Sequence, residues 1–227
     1  MTAPRPLVVE TIRDCPYAVG LARQREILAR MRQDPAAPET LIFAEHRPVV
    51  TLGRRADPAN LRLSPGALAQ RGVDVAPTTR GGDVTYHGPG QWTVYPLLRL
   101  GEFCPDLHRY LRLLEETAIV YLAGRGVQAG RRAVNSGAWV GRDKICAVGV
   151  ACSAWISWHG FAMNVQPDLA EFTAAVVPCG IAPEDGGVTS LARETSRRYD
   201  MEEEKGRILA ALREVFAGAT GRRWEIV

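Results

Sequence analysis

The chain has 227 residues, 46% of them hydrophobic and 23% charged, enough apolar material for a packed core and too much for a disordered chain. Its 28 basic and 25 acidic residues leave a net charge of +3, too balanced for nucleic-acid binding, though a local basic patch could meet an acidic partner. The start, MTAPRPLVVETIRD, lacks the apolar run of a signal peptide, and no window approaches a membrane span; the expectation is a cytoplasmic protein without membrane attachment.

In chain order, DCPYAVGLARQREILARMRQD has helical character, with Leu21, Ile27, Leu28 and Met31 roughly on one face. LIFAEH and PVVTLG read as strands. SPGALAQRG predicts a short helix with Ser64 as N-cap, Pro65 at the first position and Gly72 beyond the end. VDVAP and WTVYPLL are strand-like and flank a loop, RGGDVTYHGPGQW, that carries Gly81, Gly82, Gly88 and Gly90. Asp106 precedes a longer helix, in which Leu107, Leu111, Leu114, Ala118 and Leu122 recur every three or four residues until Gly124 stops it.

GAWV, a turn at GRD and KICAVGVAC predict a hairpin, extended by ISWHGFAMNV. DLAEF is a single helical turn before the loop VVPCGIAPEDGG. A last helix starts at Asp200, with Glu203 placed for a capping box and Ile208, Leu209, Leu212, Val215 and Phe216 as its apolar stripe. Strands and helices interleave without a strict alternating repeat, so the expected fold is a mixed α/β sheet flanked by helices, as one domain over residues 1–227.

Three segments could carry chemistry. The glycine-dense loop lets main chain approach a ligand, but its spacing fits neither dinucleotide nor P-loop patterns, and alone it also reads as an irregular turn. Lys144 follows a tight turn, where lysine is ordinarily a solvated edge charge. Cys179 lies in a loop between Pro178 and Gly180, where an exposed thiol beside a cation could be a nucleophile; a structural cysteine fits the local sequence as well. The five cysteines form no metal-binding spacing and, without a secretion signal, read as reduced thiols.

Taken in order, RGGDVTYHGPGQ, KICAVGV, HGFAMNV and VPCGI with VTSL resemble the signature of the lipoyl(octanoyl)transferases, and EHRPVVTLGRRADPANL is similar too. The resemblance spans roughly residues 40–195. It implies a catalytic domain like that of biotin and lipoate protein ligases. The implied activity moves an octanoyl group from acyl carrier protein to a lysine of a lipoyl domain, through a cysteine thioester and without ATP, metal or other cofactor. The implied acceptors are lipoyl domains of 2-oxoacid dehydrogenase E2 subunits and the glycine cleavage H protein.

By the same resemblance, Cys179 would be the nucleophile and Lys144 its partner. The acyl site would be walled by Arg80, Gly81, Gly82, Asp83, Val84, Thr85, Tyr86 and His87, by Ala147, Val148 and Gly149, and by Gly160, Phe161 and Ala162. His87 and His159 could position the carbonyl or the target lysine, or be satisfied structural histidines. Arg54–Arg55 and Arg131–Arg132 could dock the acidic carrier. An ATP-dependent lipoate or biotin-type ligase on the same fold is the alternative; PCG and the lack of an evident nucleotide motif favour transfer.

Overall fold

Glu39–His46 is buried at every position, so its side chains need cover on both faces, as in the middle of a sheet. The computed structural model describes residues 4–177 and 186–227 and supplies that cover. The first half contains β1 (Arg5–Cys15), α1 (Tyr17–Gln33), β2 (Glu39–His46), β3 (Val49–Leu52), α2 (Pro65–Gln70), β4 (Asp74–Pro77), β5 (Val84–His87) and β6 (Gln91–Leu97). Then come α3 (Leu107–Ala123), β7 (Gly137–Val140), β8 (Asp143–Ser153), β9 (Ile156–Asn164), α4 (Leu169–Ala175), α5 (Leu191–Thr195), α6 (Met201–Thr220) and β10 (Trp224–Ile226).

Among the described residues the strands form two sheets, one ordered β10-β1-β2-β6-β9-β8-β7 and a small one ordered β4-β3-β5. The large sheet is mixed: β1 runs parallel to β10 and β2, and the pairs from β2 through β7 are antiparallel. This is the expected mixed α/β class. No helix of the described residues is long and apolar enough to cross a membrane.

Alternation along each strand divides the core. Trp92, Val94, Phe161 and Met163 pack with Tyr110 and Leu114 of α3 and Leu212 and Phe216 of α6. Ile42, Ala44, Tyr95 and Leu97 pack with Ile27, Leu28 and Met31 of α1. A third cluster joins Val50, Val84 and Tyr86 of the small sheet to Leu68 of α2 and Phe172 of α4. The small sheet thereby turns its other face, with Thr51, Thr85 and His87, toward the large one.

The helix signals held, with local differences. Ser64 Oγ accepts the Ala67 amide at 3.2 Å, and Asp106 caps α3 through the amides of His108 and Arg109. Asp200 accepts the Glu203 amide at 2.9 Å, but the Glu203 carboxylate pairs with Arg207 instead of closing the box. Gly124 at the end of α3 keeps a right-handed φ of −64°, and the left-handed residue is Gly126.

Two strands, β1 and β10, were not read from the sequence. The segment read as one loop from Arg80 to Trp92 contains β5 and the start of β6. Four strand residues between glycine pairs offer too short a period-2 run to stand out.

Candidate active site

Between the two sheets lies a cavity of about 600 Å³. Its floor follows from the register. Thr93 of β6 pairs with Ala162 of β9, which pairs with Ala147 of β8; one step along, Gly160 faces Gly149. These small side chains share one face and leave room above it, while Phe161 and Val148 between them turn to the opposite face and join the α3 side of the core.

The opposite wall is the glycine-dense segment. Main-chain bonds from Gly53, Arg54 and Arg55 to Asp83, Arg80 and Gly82 hold it on one side, and Gly81 N–H donates to Val150 O at 2.9 Å on the other. Gly149 is needed where they meet, because a Cβ there would come 2.8 Å from the Gly81 carbonyl oxygen.

Of the wall residues expected from the sequence, Arg80, Gly81, Gly82, Asp83, Thr85, His87, Ala147, Gly149, Gly160 and Ala162 line the cavity, as do Lys144 and His159; Val148 and Phe161 border it from β8 and β9, although their side chains belong to the core on the other face. Val84 and Tyr86 do not line it. Residues 84–87 form a strand and not a loop, and its alternation sends Val84 and Tyr86 to the outer face, where they pack with Phe172 and Leu68. Cys179 lies outside the described residues.

Lys144 is 3% exposed, against the usual expectation for a lysine at a strand start. Its ammonium donates to Asn135 Oδ1 and, at 3.1 Å, to Ser136 O, and it sits 4.9 Å from the centre of the Trp139 ring. Among the described residues it pairs with no carboxylate, so both acceptors are neutral. Residues 187–189 run parallel beside it: Lys144 N–H donates to Gly187 O, and Thr189 N–H to Lys144 O.

A directional hydrogen-bond chain backs the cavity. Arg80 donates to Thr51 Oγ1 at 2.9 Å, leaving the Thr51 hydroxyl to donate to His87 Nε2 at 3.3 Å. His87 Nδ1 is 2.7 Å from Gln91 Oε1, Gln91 Nε2 donates to Asn164 Oδ1 at 2.8 Å, and Asn164 donates to Thr189 O at 3.0 Å. Glycine segment and lysine strand are thereby tied together.

His159 has a left-handed φ of 55° inside β9, with Nε2 3.1 Å from Thr79 Oγ1 and its main-chain N–H given to Gln24. Burial and the nearby Arg80 charge push its pKa down to about 3; burial and the neighbouring His46 do the same for His87, also to about 3. Both rings are neutral near pH 7.

Residues without a sequence signal for the site also line the cavity: Tyr17, Thr93, Tyr95, His108, Val134, Asn135 and Ser136, together with Leu107 and Leu111, expected in the buried stripe of α3. Thr93 and Tyr95 could have been found from the alternation of β6. Asn135 and Ser136 carry no sequence signal, since only the fold brings their loop to Lys144. Arg54 and Arg55 are exposed on the rim; Arg131 is exposed too but paired with the buried Glu115 and with Glu116, and Arg132 lies 5.1 Å over the Trp139 ring.

The family model described as the lipoyl protein ligase A/B catalytic domain matches residues 16–213. An octanoyltransferase of Rubrobacter xylanophilus is 46% identical over 202 residues, 88% of this chain and 89% of its own. One of Chloroflexus aggregans is 43% identical over 215 residues, covering 93% and 96%. Among solved structures, the bipartite lipoate protein ligase of Thermoplasma acidophilum, described with its E2 lipoyl domain, superposes with a TM-score of 0.73 at 17% identity, over 100% of this chain and 88% of its own. The fold is thus that of lipoate protein ligase catalytic domains, and the class is acyltransferase. The chain belongs to the octanoyltransferases of the lipoyl protein ligase A/B catalytic-domain family.

Proposed function

We propose that the chain, working as one domain in the cytoplasm, moves octanoyl from octanoyl-acyl carrier protein to a lysine of a lipoyl domain through a Cys179 thioester. The observation that carries this reading is Lys144: a buried ammonium on the cavity wall whose acceptors are neutral and which, among the described residues, has no carboxylate partner. Such a charge favours an anion beside it, and a thiolate or a tetrahedral oxyanion supplies one.

The two anchors of the Cys179 segment support the pairing. Val177 N–H donates to Asn60 O, and the Asn60 side chain reaches Asp83 on the cavity wall. The described chain resumes at Gly186, and Gly187 is bound to Lys144.

In the first half-reaction the Cys179 thiolate attacks the thioester carbonyl; the C–S bond to the carrier breaks, and the carrier thiolate takes a proton from Lys144. The neutral amine of Lys144 then accepts a proton as the substrate lysine attacks the acyl-enzyme, and Cys179 leaves as thiolate. Thioester exchange is nearly neutral, and the final amide draws the sequence forward. No phosphoanhydride is consumed, because the acyl group arrives activated.

An octanoyl chain on the Ala147–Ala162 floor buries seven methylene or methyl groups, at about 0.8 kcal/mol each. Arg54 and Arg55 on the rim suit an acidic carrier, and the acceptors are lipoyl domains such as those of E2 subunits and the glycine cleavage H protein.

The test is intact mass after incubation with octanoyl-acyl carrier protein and no ATP. One octanoyl group should be gained, removed by hydroxylamine and absent in Cys179→Ala. Wild-type protein that gains nothing without ATP overturns the reading.

A further inference from the structure

The acceptors of the Lys144 ammonium come from a loop with no regular structure, and a loop alone holds a side chain loosely. The loop is tied down by a carboxylate from another element. Glu115 of α3 is buried, its side chain 2% exposed. Its Oε1 accepts the Gly137 N–H at 3.0 Å, and its Oε2 accepts from Arg131 Nε at 3.0 Å and Arg112 Nη1 at 2.7 Å.

One carboxylate therefore fixes the loop at Arg131 and at Gly137, and the acceptors of Lys144, Asn135 Oδ1 and Ser136 O, lie between those points. Arg131 is held further by the Arg112 carbonyl oxygen at 3.0 Å and by Glu116.

We propose, on the reading of Lys144 given above, that Glu115 is a positioning residue for the Lys144 amine, acting through Gly137 and the Asn135–Ser136 acceptors. The arrangement separates position from charge. Arg112 and Arg131 absorb the negative charge of Glu115, so it organises the loop without becoming the counter-ion of Lys144. An ammonium has three N–H donors, and the loop takes two of them among the described residues. An apolar residue at 115 would leave the Gly137 N–H and two guanidiniums without their common acceptor.

Glu115→Gln keeps the size and loses the two ion pairs. Single-turnover acyl transfer and Cys179 alkylation would be followed between about pH 6 and 9 in wild type, Glu115→Gln and Lys144→Ala, with Val84→Ala as a control that lowers stability away from the cavity. Glu115→Gln should slow transfer about tenfold or more, with donor KM within about twofold, since a misplaced group of this kind loses rate more than binding. Its alkylation profile should move in the direction seen for Lys144→Ala, and Val84→Ala should move neither.

If Glu115→Gln does not fold, Arg131→Gln loosens the same tether and carries the same expectation. Profiles that shift in Lys144→Ala but superimpose on wild type in the tether variants overturn the positioning role alone. A wild-type profile retained by Lys144→Ala overturns the base assignment and this inference with it.

Discussion

The Nδ1 of His87 lies 2.7 Å from the Oε1 of Gln91, whose own amide nitrogen is given to Asn164, so the histidine must donate and its Nε2 is left as an acceptor. The ring is neutral and buried, in company with His46, whose pKa burial lowers to about 4, and His159 at about 3. Free histidine titrates near 6.5. As pH falls below that, the unfolded chain takes up protons that the folded one refuses. The stability these rings contribute is therefore complete above about pH 6.5 and is lost as pH falls toward about 3–4. Each can contribute a slope of at most about 1.4 kcal/mol per pH unit. The urea midpoint should drop between about pH 7 and 5, and drop less in His87→Gln; equal slopes in the two proteins would contradict neutral burial.

Gly137 adopts a φ of 147°, and a Cβ there would lie 2.2 Å from the Cys146 carbonyl oxygen and 3.2 Å from Lys144 Cε. Gly137→Ala should cost about 1–3 kcal/mol in unfolding free energy from backbone strain. On the proposed role of Lys144 it should also depress octanoyl transfer beyond what the lost stability explains, because what gives way is next to the Lys144 side chain. Thermal unfolding and single-turnover assays on the same sample check both parts.

Neighbours in β5 should behave differently. Val84 is fully buried on the outer face, so Val84→Ala should lower stability by about 1–3 kcal/mol while acyl selectivity stays constant. Thr85 faces the cavity, so Thr85→Val should alter selectivity with little effect on stability. Similar selectivity changes in both would contradict the alternation.

Ala162 sits in the cavity floor between Thr93 and Ala147. Ala162→Leu should fill the slot and disfavour octanoyl relative to a four-carbon group by about 2 kcal/mol, roughly 30-fold. Competition between the two loaded carriers, read by intact mass, measures the ratio, and an unchanged ratio would place the acyl chain elsewhere.

By itself the sequence determined what local chemistry dictates. The N-caps Ser64, Asp106 and Asp200 act within three residues of their partners, and the apolar stripe of α6 follows a short period, so both could be read directly; in α3 the period found Leu114, Ala118 and Leu122, while Leu107 is exposed and Leu111 half-buried at the cavity. Its ordered motifs also pointed to the family, and they named Lys144, which the fold places on the cavity wall. Tertiary structure decided the rest, because it depends on residues far apart in the chain. Only strand pairing turned Val84 and Tyr86 away from the cavity and placed Ala162 beside Ala147. Only packing of α3 on the large sheet brought Glu115 to Gly137, and only the fold gathered Ser136, Trp139 and residues 187–189 around Lys144, a burial that no property of lysine or its sequence neighbours foretells.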